Sequence, residues 1–422
     1  MVESLSVLAI YSFLTWCIQP FLRRKLKRRA LSEPLYGTNI EARFGRYPAF
    51  TVDPDRPLVW IHAVSLGETR AAAILLKALR LTTPSMRLLL TSGTATGREE
   101  GAKLLQDGDT QVWQPWDTKA ATSAFFAAFK PSIGILMETE IWPNLLVSAQ
   151  AAHVPMALVN ARMSEKSLGK SKRWYAQWLA SQAYKSLAAV YAQTQDDAAR
   201  LTILGTKVDG VLGNLKFDIT PSAAQVAAGD AFRLRHSKPI ILFASSREGE
   251  EALFLAALKA LPKAQLDAAQ WLIVPRHPQR FDEVAGLIEA AGLQVSRRSE
   301  WQINTMWLGD SIGEMAFYYS LASAALLGGS FEKLGGQNLI ESLACGCPVV
   351  MGPHTFNFEE AAALAAAAGV AFRVGTLASA VDCALQLYRF DRLKASDFVS
   401  NHRGAALKTA LAVDSRLRGD DK

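Results

Sequence analysis

The chain has 422 residues, half of them hydrophobic, and carries a formal net charge of +7 at pH 7. This length and composition predict a globular protein with a substantial core, divided into two domains. Six of the positive charges lie within residues 23–29, so the rest of the chain is nearly neutral. Neither an aromatic RNA-binding motif nor a zinc-finger spacing accompanies the basic run, which argues against nucleic acid as a partner.

An apolar segment at residues 5–22 precedes the basic run. Its length of about 18 residues is enough to span a bilayer or to lie in its interface. The positive charge follows the apolar stretch and no small-residue cleavage site is present, so the pattern is not that of a secretory signal peptide. We therefore predict a membrane anchor over residues 1–29, with the basic run against anionic lipids and the protein body on the cytoplasmic side. An amphipathic helix packed on the protein itself is the alternative.

The four cysteines are Cys17, Cys345, Cys347 and Cys383, and their spacing shows no disulfide framework. The Cys-Gly-Cys run at 345–347 resembles half of a metal site, but a second Cys or His pair at a matching spacing is absent from the sequence. The cysteines are therefore predicted to be small buried residues of a reduced, cytosolic protein without a bound metal.

From residue 57 onward, short apolar runs alternate with longer helical patterns, which is typical of parallel α/β sheets. In the first half, the predicted strands are residues 58–64, 87–91, 133–137, 156–160 and 188–193. The pattern breaks over residues 205–231 and restarts with predicted strands at 239–244, 271–274, 294–296, 305–308, 324–327, 349–351 and 370–374. The sequence predicts an α/β fold with two Rossmann-like domains, at residues 30–212 and 213–395, that face a cleft. A tail at residues 396–422 would follow them.

Polar residues directly after strands are the candidates for function, because ligands of such sheets bind beyond the carboxyl ends of the strands. Ser65 and Glu68 follow the first strand at a predicted helix start, where the helix dipole favours an ionised carboxylate. Glu68 is a candidate general base toward a hydroxyl, or a glutamate that only stabilises its helix. The hydroxyl and glycine run at residues 91–97 either cradles an anionic or polyhydroxyl ligand or forms a flexible turn. Of Glu138 and Glu140, one is expected to face the ligand and the other a structural partner.

The second half of the chain offers candidate contacts for a nucleotide. Lys216 lies in the predicted linker, from which it can reach across the cleft. Arg276 and His277, bracketed by prolines after a predicted strand, are donors suited to a phosphate. The Gly-Gly turn at residues 335–336 opens into a helix, whose N–H groups and dipole also suit a phosphate, with Glu341 placed for a ribose. A tight turn with an incidental glutamate is the alternative.

Six motifs occur in order along the chain. They are HAVSLGE at 62–68, METEIWPN at 137–144, GNLKFD at 213–218, PRHP at 275–278, GGQNLIE at 335–341 and MGPHTFNF at 351–358. Together they resemble the motifs of the Kdo (3-deoxy-D-manno-octulosonate) transferases of lipid A biosynthesis. The resemblance implies a GT-B glycosyltransferase fold and an inverting transfer of Kdo from CMP-Kdo to the acceptor lipid IVA. It also implies action at the cytoplasmic face of the bacterial inner membrane and no need for a metal or other cofactor.

By position, the resemblance implies that Glu68 is the proton acceptor and that Glu138 and Lys216 support the transition state. The residues implied to contact CMP are Arg276, His277, Gly313, Glu314, Met315, Asn338, Leu339, Ile340 and Glu341. Many relatives read Glu-Arg-aromatic-Gly before the first strand, whereas Ala42 precedes the arginine here, so the role of Glu41 stays open. Two other functions also stay open. One is a GT-B glycosyltransferase or epimerase that uses a UDP-sugar, and the other is a non-catalytic membrane scaffold of the same fold.

Overall fold

A computed structural model describes residues 2–171, 181–300 and 306–419 of the chain. The chain forms two compact units. The first unit comprises Met1–Asp218 and Arg403–Lys422, and the second comprises Ile219–His402. Each unit contains one seven-stranded sheet in which all paired strands are parallel. The predicted α/β class with two parallel sheets is confirmed.

The first sheet has the strand order β3-β2-β1-β4-β5-β6-β7. Its strands are β1 Leu58–His62, β2 Arg87–Ser92, β3 Thr110–Trp113, β4 Ile133–Met137, β5 Met156–Ala161, β6 Ala189–Ala192 and β7 Gly210–Val211. The five predicted strands of this half are present, and their ends agree to within two residues. The two edge strands, β3 and β7, were not predicted. Strand β3 reads Thr-Gln-Val-Trp and lacks an apolar run, and β7 has two residues in the segment where the apolar pattern breaks.

Helices cover both faces of the first sheet. The α-helices of the first unit that precede residue 218 are α1 Val2–Cys17, α2 Gln19–Arg29, α3 Leu66–Thr82, α4 Ala95–Ala102, α5 Lys119–Phe129, α6 Pro143–Ala151, α7 Glu165–Ser171 and α8 Gln195–Ile203. Along β1 the side chains alternate, so that Val59 and Ile61 share a core cluster with Leu75 of α3, whereas Trp60 packs with Phe125 of α5. This burial of both faces explains why the strands read as continuous apolar runs.

The second sheet has the strand order β10-β11-β9-β8-β12-β13-β14. Its strands are β8 Ile240–Ser246, β9 Gln270–Pro275, β10 Val295–Arg297, β11 Met306–Leu308, β12 Ala324–Leu327, β13 Val349–Met351 and β14 Ala371–Arg373. Its helices are α9 Ala223–Arg235, α10 Glu250–Ala260, α11 Lys263–Leu266, α12 Phe281–Ala290, α13 Met315–Leu321, α14 Leu339–Ala344, α15 Glu359–Ala367, α16 Leu377–Gln386 and α17 Arg392–Asn401. All seven strands predicted for this half are present, although the predicted start of β11 at residue 305 lies outside the described residues.

The last described helix, α18 Ala405–Arg418, belongs to the first unit. The Asp218 carboxylate accepts the N–H groups of Gly404 at 2.6 Å and Ala406 at 2.8 Å, and so caps this helix. The hydroxyl of Thr83, which follows α3, donates to Asp414 at 2.8 Å. Small apolar side chains of α18 pack in the same core cluster as α3.

The division into units therefore differs from the predicted domain boundaries. Residues 213–218, predicted to begin the second domain, lie in the first unit. The segment 396–422, predicted as a tail, contains the end of α17 in the second unit and α18 in the first. Small residues of this segment give α18 a buried face against α3.

The N-terminal helices α1 and α2 contact the rest of the first unit and also expose apolar side chains. The Tyr11 hydroxyl donates to Asp117 at 2.7 Å, and the Ser12 hydroxyl donates to Asn144 at 2.7 Å. On α1, Phe13 and Trp16 are each 62% exposed. In the part of the chain that the structure describes, no helix combines the length and the apolar character needed to cross a bilayer.

All four cysteines have free thiols. Cys345 and Cys347 are buried, as predicted, and Cys383 is partly buried. Cys17 is exposed at the end of α1, where the prediction of a buried residue is wrong, because this helix leaves much of its surface uncovered. Within the described ranges, no three His, Cys, Asp or Glu side chains are grouped so that they could hold a metal ion.

Candidate active site

Glu68 lies in the first turn of α3, soon after β1. Ser65 is the N-cap residue of this helix, and its Oγ accepts the N–H of Glu68 at 3.3 Å. The carboxylate is held on both oxygens, because Oε1 accepts the Ser65 hydroxyl and Oε2 accepts the Val64 N–H, each at 2.8 Å. These contacts fix the carboxylate at the carboxyl edge of the first sheet, where ligands of parallel sheets bind.

The ionisation of Glu68 differs from the expectation that the helix dipole keeps it charged. The pKa of Glu68 is raised from 4.5 to about 7, first by burial and then by the charge of Glu140. The hydrogen bonds from Ser65 and Val64 lower the pKa but do not outweigh these effects. A carboxyl group with a pKa near 7 is a stronger base than an ordinary glutamate and is matched to proton transfer near neutral pH.

Glu138 and Lys216 form a buried ion pair. Lys216 Nζ lies 2.9 Å from Glu138 Oε1, and the two side chains are 19% and 11% exposed, respectively. Glu138 follows β4 directly and has a φ of 54°, in the left-handed region that non-glycine residues rarely adopt. Its N–H donates to the carbonyl of Val159 and its own carbonyl accepts the N–H of Arg162. The neighbouring strand β5 thus holds this strained residue in place.

Glu140 belongs to the same group of charges. Its carboxylate accepts the indole N–H of Trp142 at 2.8 Å, and burial raises its pKa. The charge of Glu140 in turn raises the pKa of Glu68. Glu138 is therefore paired with the ammonium group of Lys216, whereas Glu140 is hydrogen-bonded to the indole of Trp142. The negative charge of Glu140 also acts on Glu68. We call Glu68, Glu138, Glu140 and Lys216 the carboxylate cluster.

Sequence reasoning missed the residue that positions Lys216. Asn160, near the end of β5, has a φ of 51°, and its Oδ1 accepts the N–H of Leu215 at 3.0 Å. This bond fixes the 3-10 turn Leu215–Asp218, which carries Lys216. The sequence did contain a signal for Asn160, because it is a polar residue at the end of a strand. The other candidate residues were selected for that same reason.

In the second unit, Arg276 and His277 follow β9 directly. The Arg276 N–H donates to the carbonyl of Ser246, the last residue of β8, at 3.0 Å. The pKa of His277 is lowered by burial and then by the charges of Arg247, Arg276 and Arg280. Three arginines thus act on one imidazole, and this concentration of positive charge suits an anionic ligand such as a phosphate.

Glu341 lies in the first turn of α14, a helix of six residues. Asn338 is the N-cap, and its Oδ1 accepts the N–H of Ile340 at 3.1 Å. Burial raises the pKa of Tyr319, the charge of Glu341 raises it further, and the charge of Arg276 lowers it. Glu341 and Arg276, which are far apart in the sequence, therefore act on the same buried side chain.

The Gly-Gly turn before α14 is explained by its backbone and by a close contact. Gly335 and Gly336 have φ values of 87° and 74°, which favour glycine. A Cβ at Gly335 would come within 2.5 Å of the side chains of Phe356 and Asn357. The N–H of Asn357 donates to the Gly335 carbonyl at 3.0 Å. The motif at residues 351–358 thus packs directly on the glycine turn.

The remaining residues predicted to contact the nucleotide are engaged in other contacts or are buried. Gly313 and Glu314 precede α13, and Met315 is its first residue. The Glu314 carboxylate forms an ion pair with Arg298 at 3.2 Å. Leu339 and Ile340 are fully buried, so these two residues offer a ligand their backbone rather than their side chains.

Solved structures share the arrangement of strands and helices described above. A glycosyltransferase from Rickettsia africae matches 86% of this chain and 99% of its own length, with a TM-score of 0.55 at 15% identity. A UDP-GlcNAc 2-epimerase from Neisseria meningitidis, bound to UDP-GlcNAc, matches 86% of this chain and 100% of its own, with a TM-score of 0.56 at 14% identity. This likeness defines the class of fold, a two-sheet α/β fold found in glycosyltransferases and epimerases.

Sequence relatives define the family. A family model described as 3-deoxy-D-manno-octulosonic-acid transferase (kdotransferase) matches residues 38–219. The 3-deoxy-D-manno-octulosonic acid transferase of Bordetella pertussis is 45% identical over 395 residues, covering 89% of this chain and 91% of the relative. That of Haemophilus influenzae is 32% identical over 361 residues, covering 83% of each. The chain belongs to the 3-deoxy-D-manno-octulosonic acid transferase family, and the resemblance inferred from its motifs is confirmed.

Proposed function

We propose that this protein is a GT-B glycosyltransferase that moves Kdo from CMP-Kdo to lipid IVA with inversion at the anomeric carbon. Membership of the Kdo transferase family supports Kdo as the transferred sugar. The observation that carries the mechanism is Glu68, whose carboxylate is fixed by two hydrogen bonds and has a pKa of about 7. These properties suit a general base that acts on a sugar hydroxyl.

In the proposed reaction, Glu68 takes the proton of an acceptor hydroxyl as the hydroxyl oxygen attacks the anomeric carbon of Kdo. The bond from that carbon to the CMP phosphate breaks at the opposite side, which gives inversion. With a pKa of about 7, Glu68 is about half ionised at pH 7, so the reactive form is well populated. Ser65 and Val64 orient the carboxylate, and this orientation lowers the entropic barrier to proton transfer.

We assign Glu138 and Lys216 to support of the transition state. Their 2.9 Å contact fixes the ammonium group, so it does not have to reorganise as negative charge develops on the substrates. The backbone contacts of Glu138 with β5 hold the pair in the same position throughout the reaction.

The donor is assigned to the second unit. Arg276 and His277 would bind the CMP phosphate, and Glu341 would accept hydrogen bonds from the ribose hydroxyls. Backbone groups of residues 313–315 and 338–340 would complete the nucleotide site. As the glycosidic bond breaks, charge grows on the phosphate, and the arginine stabilises it. In this proposal cationic side chains supply that stabilisation and the enzyme needs no metal or cofactor.

We also propose that α1 and α2 attach the protein to the cytoplasmic face of the inner membrane. The exposed side chains of Phe13, Leu14 and Trp16 support insertion of α1 among acyl chains at the interface. The basic residues 23–29 follow directly and suit anionic headgroups. Such attachment would bring the enzyme to an acceptor that is itself embedded in the membrane.

The function is tested by incubating the purified protein with CMP-Kdo and lipid IVA and weighing the lipid product by mass spectrometry. The expected product is heavier than the acceptor by one or more Kdo residues. The Glu68→Gln variant is the matched negative control. Turnover of a UDP-sugar in place of CMP-Kdo would overturn the proposal in favour of that alternative, and lack of turnover with any donor would favour the scaffold.

The donor site is tested separately with two variants and one control. Glu341→Ala removes a charged acceptor and is expected to weaken CMP binding by about 1–3 kcal/mol. Arg276→Ala is expected to lower kcat more than CMP affinity, because the phosphate charge grows in the transition state. Arg235→Ala, an exposed arginine of α9, is the control. Calorimetry with CMP and kinetics with CMP-Kdo separate the effects, and unchanged CMP binding in both variants would place the nucleotide elsewhere.

A further inference from the structure

Two arginines of the first unit meet at one buried tryptophan. Arg43 lies in the 3-10 turn Ile40–Phe44, and Arg98 lies on α4. Their guanidinium carbons lie 4.1 Å and 4.7 Å from the centre of the Trp113 ring. Trp113 is the last residue of β3, so the pair lies at the carboxyl edge of the first sheet. We call Arg43 and Arg98 the arginine pair.

The arginine pair lacks a carboxylate partner within the residues that the structure describes. Arg43 is 4% exposed and donates from Nη2 to the Gly93 carbonyl at 2.8 Å, but its Nε is buried without a hydrogen-bond acceptor. Arg98 is partly buried, and its Nη1 is also buried without an acceptor in the described ranges. Cation–π contacts with Trp113 compensate in part for the burial of charge, but they leave these donors unsatisfied.

The local sequence accounts for the excess of positive charge. Ala42, directly before Arg43, carries no charge, and the carboxylate of Glu41 pairs with Arg23 and Arg46 instead. Burial lowers the pKa of Arg43 to about 10, Tyr36 acts against this shift, and the charges of Arg98 and Arg29 add to it. Like charges gathered in this way destabilise one another unless an anion joins them.

The arginine pair is connected to Glu68 through the loop after β2. Arg43 donates to the carbonyl of Gly93, and the N–H groups of Gly93 and Thr94 donate to the carbonyl of Val64 at 3.0 Å and 3.1 Å. The N–H of Val64 in turn donates to the Glu68 carboxylate. A Cβ at Gly93 would overlap the Val64 side chain, so only glycine allows these two loops to approach so closely. The loop that Arg43 contacts and the loop that holds the Glu68 carboxylate thus lie side by side.

We propose that the arginine pair, with the start of α4, forms an anion subsite that binds a phosphate monoester of the acceptor beside Glu68. The inference rests on the proposed function, which supplies a phosphorylated lipid as the acceptor. A guanidinium group presents a planar fork of donors that matches the oxygens of a phosphate, and the N-terminal end of α4 adds a favourable dipole. A phosphate in this position orients the acceptor so that one of its hydroxyls reaches the Glu68 carboxylate.

The subsite is tested by kinetics with two acceptors that differ only in the phosphate. Arg98→Gln is expected to raise KM for the phosphorylated acceptor by roughly 10–100-fold, the range for loss of a charge-assisted contact, and to leave KM for the phosphate-free acceptor and for CMP-Kdo unchanged. Arg98→Lys, which keeps the charge and loses the fork, should give an intermediate KM. Arg235→Gln removes the same charge from the second unit and is the matched control. An equal loss on both acceptors, or no loss on either, would overturn the subsite.

Inorganic phosphate gives a second readout that does not depend on turnover. In the wild-type protein with CMP present, ³¹P NMR titration should show saturable phosphate binding that is lost in Arg98→Gln and kept in Arg235→Gln. Identical binding in wild type and Arg98→Gln would also overturn the subsite. If the wild-type protein bound phosphate through Arg98 but transferred no Kdo, the proposed function would fail while the anion subsite would stand.

Discussion

Replacing Glu68 with glutamine should make the protein more stable and inactive at the same time. In the wild-type protein the pKa of Glu68 is raised from 4.5 to about 7 by burial and by the charge of Glu140. The ionised carboxylate is therefore disfavoured in the folded state. Glutamine has nearly the same shape and can accept the Val64 N–H with its side-chain oxygen, but it carries no charge and cannot act as a base.

The magnitude follows from the pKa change. A rise of the pKa from 4.5 to about 7 corresponds to about 3–4 kcal/mol at most, since one pKa unit is worth about 1.4 kcal/mol. Because Glu68 is only partly buried, solvent screening reduces this value, and we expect about 1–3 kcal/mol. The folded state binds more protons than the unfolded state between pH 4.5 and 7, so wild-type stability falls as pH rises through this window. Above pH 7 the free energy of unfolding of the variant exceeds that of the wild type by the full amount.

The assay compares urea unfolding of both proteins at pH 5 and pH 8, with hydrogen exchange of the α3 amides as a local measure of the first unit. The gain in stability should be small at pH 5 and reach its full value at pH 8. The rate of Kdo transfer should fall by roughly 10²–10⁴, which is typical for loss of a general base. Wild-type kcat/KM should rise with pH through about 7. Glu99→Gln, on the exposed side of α4, is the control for a neutralised glutamate.

Two results would refute this reasoning. If Glu68→Gln were less stable than wild type at pH 8, the carboxylate would be stabilising, and the balance of burial and neighbouring charge would be wrong. If the variant transferred Kdo within a few-fold of the wild-type rate, Glu68 would not be the base. The two outcomes are independent, because one concerns the folded state and the other the reaction.

Three further changes test other parts of the structure. Lys216→Met leaves the buried Glu138 carboxylate without its 2.9 Å partner and should cost about 3–5 kcal/mol by urea unfolding, whereas Lys216→Arg should retain part of that stability. Tyr11→Phe removes the hydroxyl that donates to a buried aspartate, so we expect faster trypsin cleavage after the basic residues 23–29 while the global unfolding midpoint stays unchanged. Deletion of residues 2–29 should weaken binding to anionic vesicles and raise KM for membrane-embedded acceptor more than for acceptor dispersed in detergent. Equal vesicle binding by the intact and shortened proteins would contradict the proposed anchor.

The alternation of apolar runs and helical patterns was enough to predict most of the two sheets, because central parallel strands are buried on both faces. Strand β3 was missed because an edge strand needs fewer apolar residues, and its Thr-Gln-Val-Trp sequence does not stand out from a loop. Helix α18 was missed for a different reason. Its buried face consists largely of alanine, which gives a weak hydrophobic pattern, and its partner α3 lies more than 300 residues earlier in the chain.

The candidate site shows a similar limit. Glu68, Glu138 and Lys216 were predicted as site residues because each directly follows a strand or lies in a recognisable motif. The ionisation of Glu68 could not be read from the sequence, since the helix dipole and burial act in opposite directions and only the packed structure gives the extent of burial. The contact with Trp113 brings Arg43 together with Arg98, which lies more than 50 residues later in the chain, so neither arginine stood out.

The return of α18 to the first unit has a consequence for the order in which the chain folds during synthesis. The second unit is inserted between two parts of the first, so the first unit cannot be completed until almost the whole chain has left the ribosome. Until then, α3 lacks the cover of α18, and the Asp218 carboxylate has no helix to cap. Synthesis of the second unit is complete earlier, so this unit can fold before the last helix of the first unit has been made. Premature termination before residue 405 would therefore leave the unit that carries Glu68 with an open apolar face, even though every strand of its sheet had been made.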